Sequence, residues 1–535
     1  MTLPDPSALF RDIVDSTAWP VLRIGLQVAF FVTVAYIVKL TLDYRPLTEL
    51  RHLGRPKGSA ALPLACLVIL FGGVLLYQAT WQLTGIFRPQ FLAFMQAYDR
   101  RQFNPAHRIR RGRILDRSGE VLAYSARRGD QVFRLYPYGP ALAHVVGYSD
   151  PRLGASGMES AANAHLNGGT ADSLPAWGEL GRQLLTREAS PRGQDLTLTL
   201  DARLQILAVQ LLGGKRGAVV VMHPGDGAVR VLASTPSFDP NRITPELFRR
   251  SYPGAPLLNR ATQGLYPPGS TFKILTAALA IERGFSGTIY CPADGYTTSA
   301  HYRKIRDHEY YSARRAGTVW KGHGDLDLAT ALAESSNVFF AKLGVGYGHA
   351  AFFRNLERFY FDRQIALYQS PYGSWAMATG RVPEIASSDK YGLAQASVGQ
   401  GKVLVTPAHM ALIAAAVANR GLAMRPRLVE TDPPVALARF MPAADARKLA
   451  RMLRRVVAEG TGRGIDVEGL AIAGKTGTAQ NPQGAAHSWF VGFAPADQPA
   501  LAVAVLVEHG GYGAKTAAPI ARDLLIRAKE LGMLP

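Results

Sequence analysis

Two long apolar runs near the N-terminus dominate the hydrophobic pattern of this 535-residue chain. Residues 24–38 are interrupted only by Gln27 and Thr33, and residues 62–77 are uncharged throughout. With their flanking residues, both runs are long enough to cross a bilayer as helices. We therefore predict transmembrane helices over residues 21–42 and 59–82. For the first run, the alternative is an amphipathic helix lying on a membrane surface.

The segments around these runs indicate their orientation. The connector 43–58 is more basic than the N-terminal segment 1–20, so the positive-inside rule places the connector in the cytoplasm. Arg88, Arg100 and Arg101 follow the second run, so the charge rule alone does not decide the orientation. No clear signal-peptidase site follows either run, and we expect both helices to be retained.

Beyond the apolar runs, the pattern predicts two folded parts. Residues 83–190 have the short strands and turns of a mostly β pedestal, and residues 191–535 form the larger domain. In the latter, apolar strands at 217–222 and 229–233 flank the turn Pro224-Gly225-Asp226-Gly227. Further strand and helix patterns follow, at 470–474, 489–493 and 501–507 for strands and at 274–281 and 518–531 for helices. We predict an α/β (α+β) domain with an antiparallel sheet flanked by helices.

Composition restricts the possible partners and cross-links. The net charge is +20, with a dense run of arginines between residues 108 and 113 that suits anionic lipid headgroups or anionic wall polymers. Nucleic acid is the alternative partner, but no nucleic-acid-binding module is apparent, and we expect none to bind. The two cysteines, Cys66 and Cys291, are far apart in sequence and predict no structural disulfide.

Three short polar motifs occur in a fixed order: Ser270-Thr271-Phe272-Lys273, Ser335-Ser336-Asn337 and Lys475-Thr476-Gly477-Thr478. An S-x-x-K alone arises by chance about once in a chain this long. A second copy, Ser387-Ser388-Asp389-Lys390, is followed by Gly392 and is interpreted as loop. Taken singly, the motifs fit a capped helix, a polar turn and an edge strand, whereas the ordered set indicates a serine acyl-transfer site.

The first motif predicts a serine activated by a lysine. Tyr266-Pro267-Pro268-Gly269 breaks the chain, and the apolar run that follows predicts a helix ending near Gly284. Ser270 would open this helix, and Lys273 would lie one turn along the same face. The lysine can act as a base if burial and a second cation, for which Lys475 is the candidate, lower its pKa.

The third motif predicts a binding edge for a substrate with a free carboxylate. Apolar alternating segments on both sides place Lys475 on the edge of a sheet. Gly477 would allow a peptide to approach the backbone, while the Thr476 and Thr478 hydroxyls and the Lys475 charge could hold the carboxylate.

These motifs resemble those of the class B, monofunctional penicillin-binding proteins, which are peptidoglycan D,D-transpeptidases. The resemblance extends over about residues 108–525. It includes Arg111 to Gly119, His144 to Tyr148, Gly157-Met158-Glu159, Leu196 to Gln205, Ala233 to Asn241, Ser397 to Gly401, Thr406-Pro407 and His487 to Gly492.

The resemblance implies a role for each residue of the first two motifs. Ser270 would be the acylated nucleophile and Lys273 its base. Ser335 would relay a proton to the leaving amine, and Asn337 would contact the substrate. The substrates implied are stem peptides ending in D-Ala-D-Ala, and β-lactams would acylate Ser270. No cofactor is implied.

Lys475, Thr476 and Thr478, with Gly477 between them, would orient the substrate carboxylate by the same resemblance. The backbone N–H groups of Ser270 and Thr478 would form an oxyanion hole. The resemblance also implies a partner, a SEDS-type glycosyltransferase in the membrane, and a catalytic domain on the extracytoplasmic, periplasmic side of the cytoplasmic membrane.

The segment between the first two motifs contains residue types that can bind a metal: Cys291, Asp294, His301, Asp307 and His308. Some elongation-type relatives are thought to bind zinc nearby through a cysteine just before the middle motif. Here Leu332 occupies that position, and the other residues lack the paired spacing of a zinc site. We expect no metal.

Three other functions share parts of this signature. A β-lactamase would need an additional deacylation base, and no match to one is evident. A β-lactam-sensing receptor would usually carry an H-E-x-x-H protease element, but Ser312 stands where His308-Glu309 would need the second histidine. A catalytically dispensable scaffold that activates a SEDS glycosyltransferase retains the same residues, so the sequence does not separate it from an enzyme. The segment Gly322-His323-Gly324 hints at elongation rather than division.

Overall fold

The structure is a computed structural model that describes most of the chain after residue 109. The described residues are 110–128, 131–150, 152–168, 193–249, 252–481 and 484–535, together with Val32, Ala35, Lys39 and 71–75. The chain divides into two units, Met1–Tyr98 and Asp99–Pro535. The predicted transmembrane helices 21–42 and 59–82 lie almost wholly outside the described residues, as do segments 1–20 and 43–58. Within the described part of the chain, no helix combines the length and apolarity needed to cross a membrane.

The part before residue 200 is built on a small sheet with short helices beside it. Its four strands run in the order β3-β2-β1-β6, with β6 parallel to β1 and the other pairs antiparallel. The strands are β1 Ile114–Leu115, β2 Val121–Arg128, β3 Gln131–Leu135 and β6 Leu196–Thr197, with a separate hairpin of β4 Ser149–Asp150 and β5 Gly154–Ala155. The helices are α1 Ala143–Val146, α2 Gly157–Ala161 and α3 Asn163–Leu166.

A buried carboxylate joins two segments of this part that are distant in sequence. Glu159 is fully buried, and its oxygens accept from Arg111 Nη2 at 2.7 Å and from Arg134 Nε at 2.6 Å. Burial alone would raise the pKa of Glu159, but the charges of Arg111 and Arg134 outweigh it and hold the pKa below its ordinary value. The ion pairs therefore fix α2 to Arg134 on β3 and to Arg111 just before β1.

Glu159→Gln is expected to lower the free energy of unfolding by about 3 kcal/mol, because it leaves two buried guanidinium groups without a counter-charge. Urea unfolding of the purified protein measures this. Asp195→Asn is the matched control, since the Arg113–Asp195 pair is largely exposed and should shift the midpoint far less. Equal midpoints for Glu159→Gln and wild type would contradict a stabilising role for this carboxylate.

The larger domain is organised around a five-stranded antiparallel sheet in the order β15-β16-β17-β7-β8. Its strands are β7 Gly217–Met222, β8 Val229–Thr235, β15 Ala473–Asn481, β16 Gly484–Ala494 and β17 Leu501–Val507. This confirms the predicted hairpin at 217–233 and the sheet-edge position of the Lys475 motif.

Helices cover both faces of this sheet, which explains its nearly continuous apolar strands. Val219 and Val221 face one side, in a core shared with α4 and α12, whereas Ala218 and Val220 face the other, where α10 packs. The helices are α4 Ala202–Leu212, α5 Lys273–Glu282, α6 His308–Ala316, α7 Leu328–Ala333, α8 Asn337–Arg358, α9 Lys390–Ser397, α10 Pro407–Ala418, α11 Ala443–Ala458 and α12 Ala517–Glu530. Gly348 interrupts α8 with φ +78°.

Smaller elements complete the domain. Three two-stranded sheets are formed by β9 Ile289–Pro292 with β10 Gly322–Leu326, β11 Gln364–Ser370 with β12 Gly373–Ala378, and β13 Leu422–Met424 with β14 Ala436–Arg439. Among the described residues, 3₁₀ turns occur at Pro245–Phe248, Gly269–Phe272 and Arg463–Ile465 in this domain and at Gly139–Ala141 before it.

The loop interpretation of the second S-x-x-K copy is only partly right. A helix does begin there, because α9 starts at Lys390 and the Asp389 carboxylate accepts from Gly392 N at 2.7 Å. Because of this capping contact, Gly392 is part of the first helical turn and does not break the helix. Ser387 lies before the helix and is exposed, so the copy does not place a serine and a lysine on one helical face.

Candidate active site

The first motif forms a tight turn that leads directly into a buried helix. Gly269–Phe272 is a 3₁₀ turn, and Lys273 is the first residue of α5 and fully buried. Gly269 has φ +54°, and a Cβ there would lie 2.8 Å from the carbonyl oxygen of Thr478. The turn is therefore pressed against the third motif. The predicted helix ending near Gly284 is confirmed, since α5 ends at Glu282.

The Lys273 amine is the centre of the site. It lies 3.1 Å from Ser270 Oγ and 3.2 Å from Ser335 Oγ, and it donates to Asn337 Oδ1 at 2.7 Å and to the Ser335 carbonyl oxygen at 2.5 Å. Burial lowers its pKa to about 7, although the negative charges of Asp307 and Glu309 oppose this shift. Near neutral pH, a substantial fraction of Lys273 is thus an uncharged amine that can accept a proton from Ser270.

The second motif presents its two outer residues to Lys273 and uses its middle residue to cap a helix. Ser336 is fully buried, and its Oγ accepts from Phe339 N at 3.1 Å at the start of α8. Ser335 has φ +61°, a left-handed backbone conformation that residues other than glycine adopt only at a cost in free energy. This backbone turn directs both the Ser335 carbonyl and the Ser335 hydroxyl to the Lys273 amine.

Asp307 holds the second motif in place, a function that the sequence did not reveal. Its buried carboxylate accepts from Ser336 Oγ at 3.1 Å, from Val338 N at 3.1 Å and from Asn337 N. The preceding residue contributes as well, because the Arg306 carbonyl oxygen accepts from Asn337 Nδ2 at 2.9 Å. Asn337 is therefore fixed through both its backbone and its side chain.

The third motif carries a second buried lysine. Lys475 is fully buried on β15, and burial and then the charge of Lys273 place its pKa well below the ordinary value. Its amine lies 3.3 Å from Thr461 Oγ1, which also accepts from Thr476 Oγ1 at 3.0 Å. The charge of Lys273 thus lowers the pKa of Lys475, whereas the pKa of Lys273 is lowered by burial, so the predicted influence of Lys475 on Lys273 stays a prediction.

Thr461 is a second residue that sequence reasoning missed. It follows α11, and its backbone N–H donates to the Ala333 carbonyl oxygen at 3.1 Å, two residues before Ser335. A Cβ at Gly460 would lie 2.4 Å from the same oxygen, so the loop passes close to the end of α7. Thr461 thereby connects the second motif to the third. In the sequence, the Gly460-Thr461-Gly462 triplet after an amphipathic helix could have indicated this residue.

Gly477 has a packing role different from the one expected. A Cβ there would lie 2.9 Å from Thr271 Cγ2 and 3.0 Å from the Pro268 carbonyl oxygen. The missing side chain therefore lets the turn that carries Ser270 pack on β15. The next residue, Thr478, accepts from Gly513 N at 3.3 Å through its Oγ1, so its hydroxyl proton is free for another acceptor.

The five candidate metal ligands have different contacts, although Cys291 and Asp307 both lie against Ser336 Oγ. Asp294 pairs with Lys304, His301 is exposed, and the ring of His308 lies 5.2 Å from that of Tyr512. Cys291 is buried near Ser336, and Asp307 has the capping contacts given above. Within the described ranges, no three His, Cys, Asp or Glu side chains are grouped so as to hold a metal ion.

Comparisons with known proteins match both folded parts. Residues 217–526 match the penicillin binding protein transpeptidase domain, and residues 111–193 match the penicillin binding protein A dimerisation domain. The peptidoglycan D,D-transpeptidase PbpA of Mycolicibacterium smegmatis is 32% identical over 451 residues, which cover 77% of this chain and 88% of the relative. The peptidoglycan D,D-transpeptidase MrdA of Acinetobacter baumannii is 29% identical, with 76% and 68% covered.

Solved structures are also similar to this chain. Penicillin-binding protein A from M. tuberculosis, in a ceftriaxone acyl-enzyme complex, has a TM-score of 0.68 and 30% identity, covering 79% of this chain and 98% of that structure. A D,D-transpeptidase domain from Eggerthella lenta has a TM-score of 0.67 and 31% identity, with coverage of 79% and 99%.

Proposed function

The chain belongs to the penicillin-binding protein transpeptidases, and from this membership we propose that it crosslinks peptidoglycan stem peptides through an acyl-enzyme on Ser270. The observation that carries the assignment is the buried Lys273 amine, which lies within hydrogen-bond distance of two serine hydroxyls. A lysine in that position can remove a proton from one serine and return it through the other.

In the acylation step, neutral Lys273 accepts the Ser270 hydroxyl proton as Ser270 Oγ attacks the carbonyl carbon of the penultimate D-Ala. The N–H groups of Ser270 and Thr478, on adjoining segments, stabilise the developing oxyanion. The proton passes from Lys273 through Ser335 Oγ to the leaving amine, the amide C–N bond breaks, and the terminal D-Ala departs. An ester between Ser270 and the donor peptide remains.

In the transfer step, an amine of a neighbouring stem peptide attacks this ester. Ser335 and Lys273 accept the amine proton, and the alkoxide of Ser270 is reprotonated as it leaves. Substrate orientation comes from the third motif: the Lys475 amine, whose protonated form the terminal carboxylate favours, and the Thr478 hydroxyl bind that carboxylate, and Thr476 acts with its neighbour Thr461. Asn337 contacts the peptide from the opposite side of Lys273.

The test of this function is the intact mass of the purified chain after incubation with benzylpenicillin. A stable adduct of one penicillin per chain, together with D-Ala release from a stem peptide ending in D-Ala-D-Ala, is expected. An unmodified protein with intact drug would favour the scaffold, whereas an unmodified protein with hydrolysed drug would favour a β-lactamase. A stable adduct without D-Ala release or crosslinking would favour a β-lactam sensor.

The placement of the enzyme is also part of the proposal. Helices at 21–42 and 59–82 anchor the chain in the cytoplasmic membrane, with the pedestal at 83–190 and the transpeptidase domain at 191–535 on the periplasmic side. A SEDS-type glycosyltransferase supplies the glycan chains, and the exposed Arg110 lies against anionic lipid, whereas Arg111 and Arg113 are paired with Glu159 and Asp195. These proposals rest on the apolar runs, the basic charge and the family membership.

Thr461→Val is expected to lower the second-order rate constant of acylation by benzylpenicillin about tenfold. The substitution keeps the side-chain shape but removes the acceptor for Lys475 Nζ and Thr476 Oγ1. Stopped-flow or fluorescent-penicillin kinetics measure the effect. Thr461→Ser, which keeps the hydroxyl, is the matched control and should stay within about threefold of wild type. Equal rates for Thr461→Val and wild type would show that this contact does not position the third motif.

A further inference from the structure

The segment between β9 and β10 has an unusually one-sided charge. Residues 293–321 contain six basic side chains and three acidic ones. Asp307 is buried against the start of α8, and Glu309 Oε2 lies 3.6 Å from His323 Nε2. Lys304 pairs with Asp294. The other five basic residues have no carboxylate within ion-pair distance among the described residues, and we call them the basic rim: Arg303, Arg306, Arg314, Arg315 and Lys321.

Aromatic rings accompany the basic rim. The Arg306 guanidinium lies 4.5 Å from the centre of the Tyr310 ring, and Arg315 Nη2 lies 3.4 Å from the Tyr512 hydroxyl. Tyr302 is 48% exposed and stacks on Tyr391 with ring centres 4.4 Å apart. Flat, partly exposed rings beside guanidinium groups suit a ligand that carries both carboxylates and the apolar faces of sugars or peptides.

Helix α6, which carries two of the five basic-rim residues, is weakly anchored in the domain. It has nine residues and no fully buried side chain. A helix this short is marginal in water unless an apolar face packs on the core. Because α6 has no fully buried side chain, core packing does not explain its sequence. Arg314 and Arg315 in its last turn and Lys321 beyond it are exposed.

The basic rim adjoins the catalytic cleft at both motifs that bind substrate. Arg306 is bonded through its carbonyl to Asn337 of the second motif. On the other side, Arg315 contacts Tyr512, and the next residue, Gly513, donates to Thr478 of the third motif. A polymer whose peptide end lies between Ser270 and Thr478 therefore leaves the cleft close to these side chains.

We infer that the basic rim binds free carboxylates of stem peptides along an uncrosslinked glycan chain while one peptide end occupies the cleft. The inference rests on the proposed function and adds a polymer-binding surface outside the acylation site. Guanidinium groups pair with carboxylates in bidentate geometry, and several such contacts along a repeating polymer reinforce one another. A small β-lactam fills the cleft without reaching the rim.

The test compares two triple variants of equal charge change in full-length protein. Arg303→Gln/Arg314→Gln/Lys321→Gln removes three rim charges, and Arg447→Gln/Lys448→Gln/Arg451→Gln removes three exposed charges on α11. Both are made in a Ser270→Ala background so that the ligand is not consumed. The probe is a soluble, fluorescently labelled glycan chain with uncrosslinked stem peptides, and its binding is followed by anisotropy.

The rim variant is expected to raise Kd about tenfold at 0.1 M salt, and the α11 variant less than about twofold. Chains whose carboxylates have been amidated should bind the parent protein as weakly as unmodified chains bind the rim variant. Equal Kd values for the two triple variants, or equal binding of amidated and unmodified chains, would overturn the inference. Loss of binding to phosphatidylglycerol vesicles with unchanged glycan binding would also overturn it, in favour of a lipid headgroup.

Two controls separate this inference from the proposed function. Thermal unfolding of each triple variant shows whether the fold is retained. Penicillin labelling of the protein with Ser270 intact tests the acylation site independently. A protein that forms the adduct but whose two triple variants bind glycan equally refutes the rim alone, whereas a protein that forms no adduct refutes the transpeptidase.

Discussion

Ser270→Ala is expected to abolish the covalent penicillin adduct and to lower crosslinking at least about ten-thousandfold. The substitution removes the hydroxyl oxygen that forms the acyl bond in the proposed mechanism. The free energy of unfolding should change by no more than about 1 kcal/mol, because Ser270 is half-buried and its hydroxyl bonds to Lys273 alone among the contacts given above.

Intact-mass measurement after penicillin treatment measures the loss of the adduct, and a crosslinking assay on glycan chains measures the loss of crosslinking. Ser387→Ala is the matched control, since it alters the serine of the other S-x-x-K sequence, which is exposed and lies outside the site. That control should label and crosslink as wild type does. Crosslinking by purified Ser270→Ala protein would overturn the assignment of the nucleophile.

Lys273→Met is expected to lower the rate constant for acylation about a thousandfold, the usual contribution of a general base. The pH dependence should change with it. In wild type the rate should rise about tenfold per pH unit below about 7 and level off above it, because only the neutral amine accepts the Ser270 proton and burial lowers the pKa of Lys273 to about 7. The variant should lose this titration.

The measurement is the second-order rate constant of penicillin acylation from about pH 5 to about pH 9, which covers about two pH units on either side of the Lys273 pKa. Lys402→Met, at an exposed lysine, is the control and should keep both the rate and the pH profile. A Lys273→Met enzyme within about tenfold of wild type, with the same profile, would show that another group takes the proton.

The parts of the fold that sequence reasoning predicted well are those determined by local pattern. Strands β7 and β17 are buried on both faces, and their uninterrupted apolar residues distinguish them clearly. The three motifs were found because each is short and contiguous. The start of α9 was missed because its signal, Asp389 capping Gly392, occurs within a sequence rich in polar residues and ending in a glycine.

What the sequence did not reveal depends on contacts between distant residues. Asp307 reaches the second motif across 30 residues, and Glu159 reaches Arg111 across 48. Thr461 serves Lys475 only because the loop after α11 folds back over the end of α7. None of these pairings follows from helical or strand periodicity, since a single sequence specifies which face a residue occupies but not which distant residue meets it.

Position 335 must meet two requirements, a left-handed backbone and a hydroxyl beside Lys273, and no residue type meets both equally well. Glycine would relieve a conformational cost of about 1 kcal/mol at φ +61° but would remove the hydroxyl that lies against Lys273. Selection of this chain for heat resistance would therefore favour glycine at position 335, and selection for turnover would restore serine. At this one torsion angle, thermal robustness and catalysis are opposing demands.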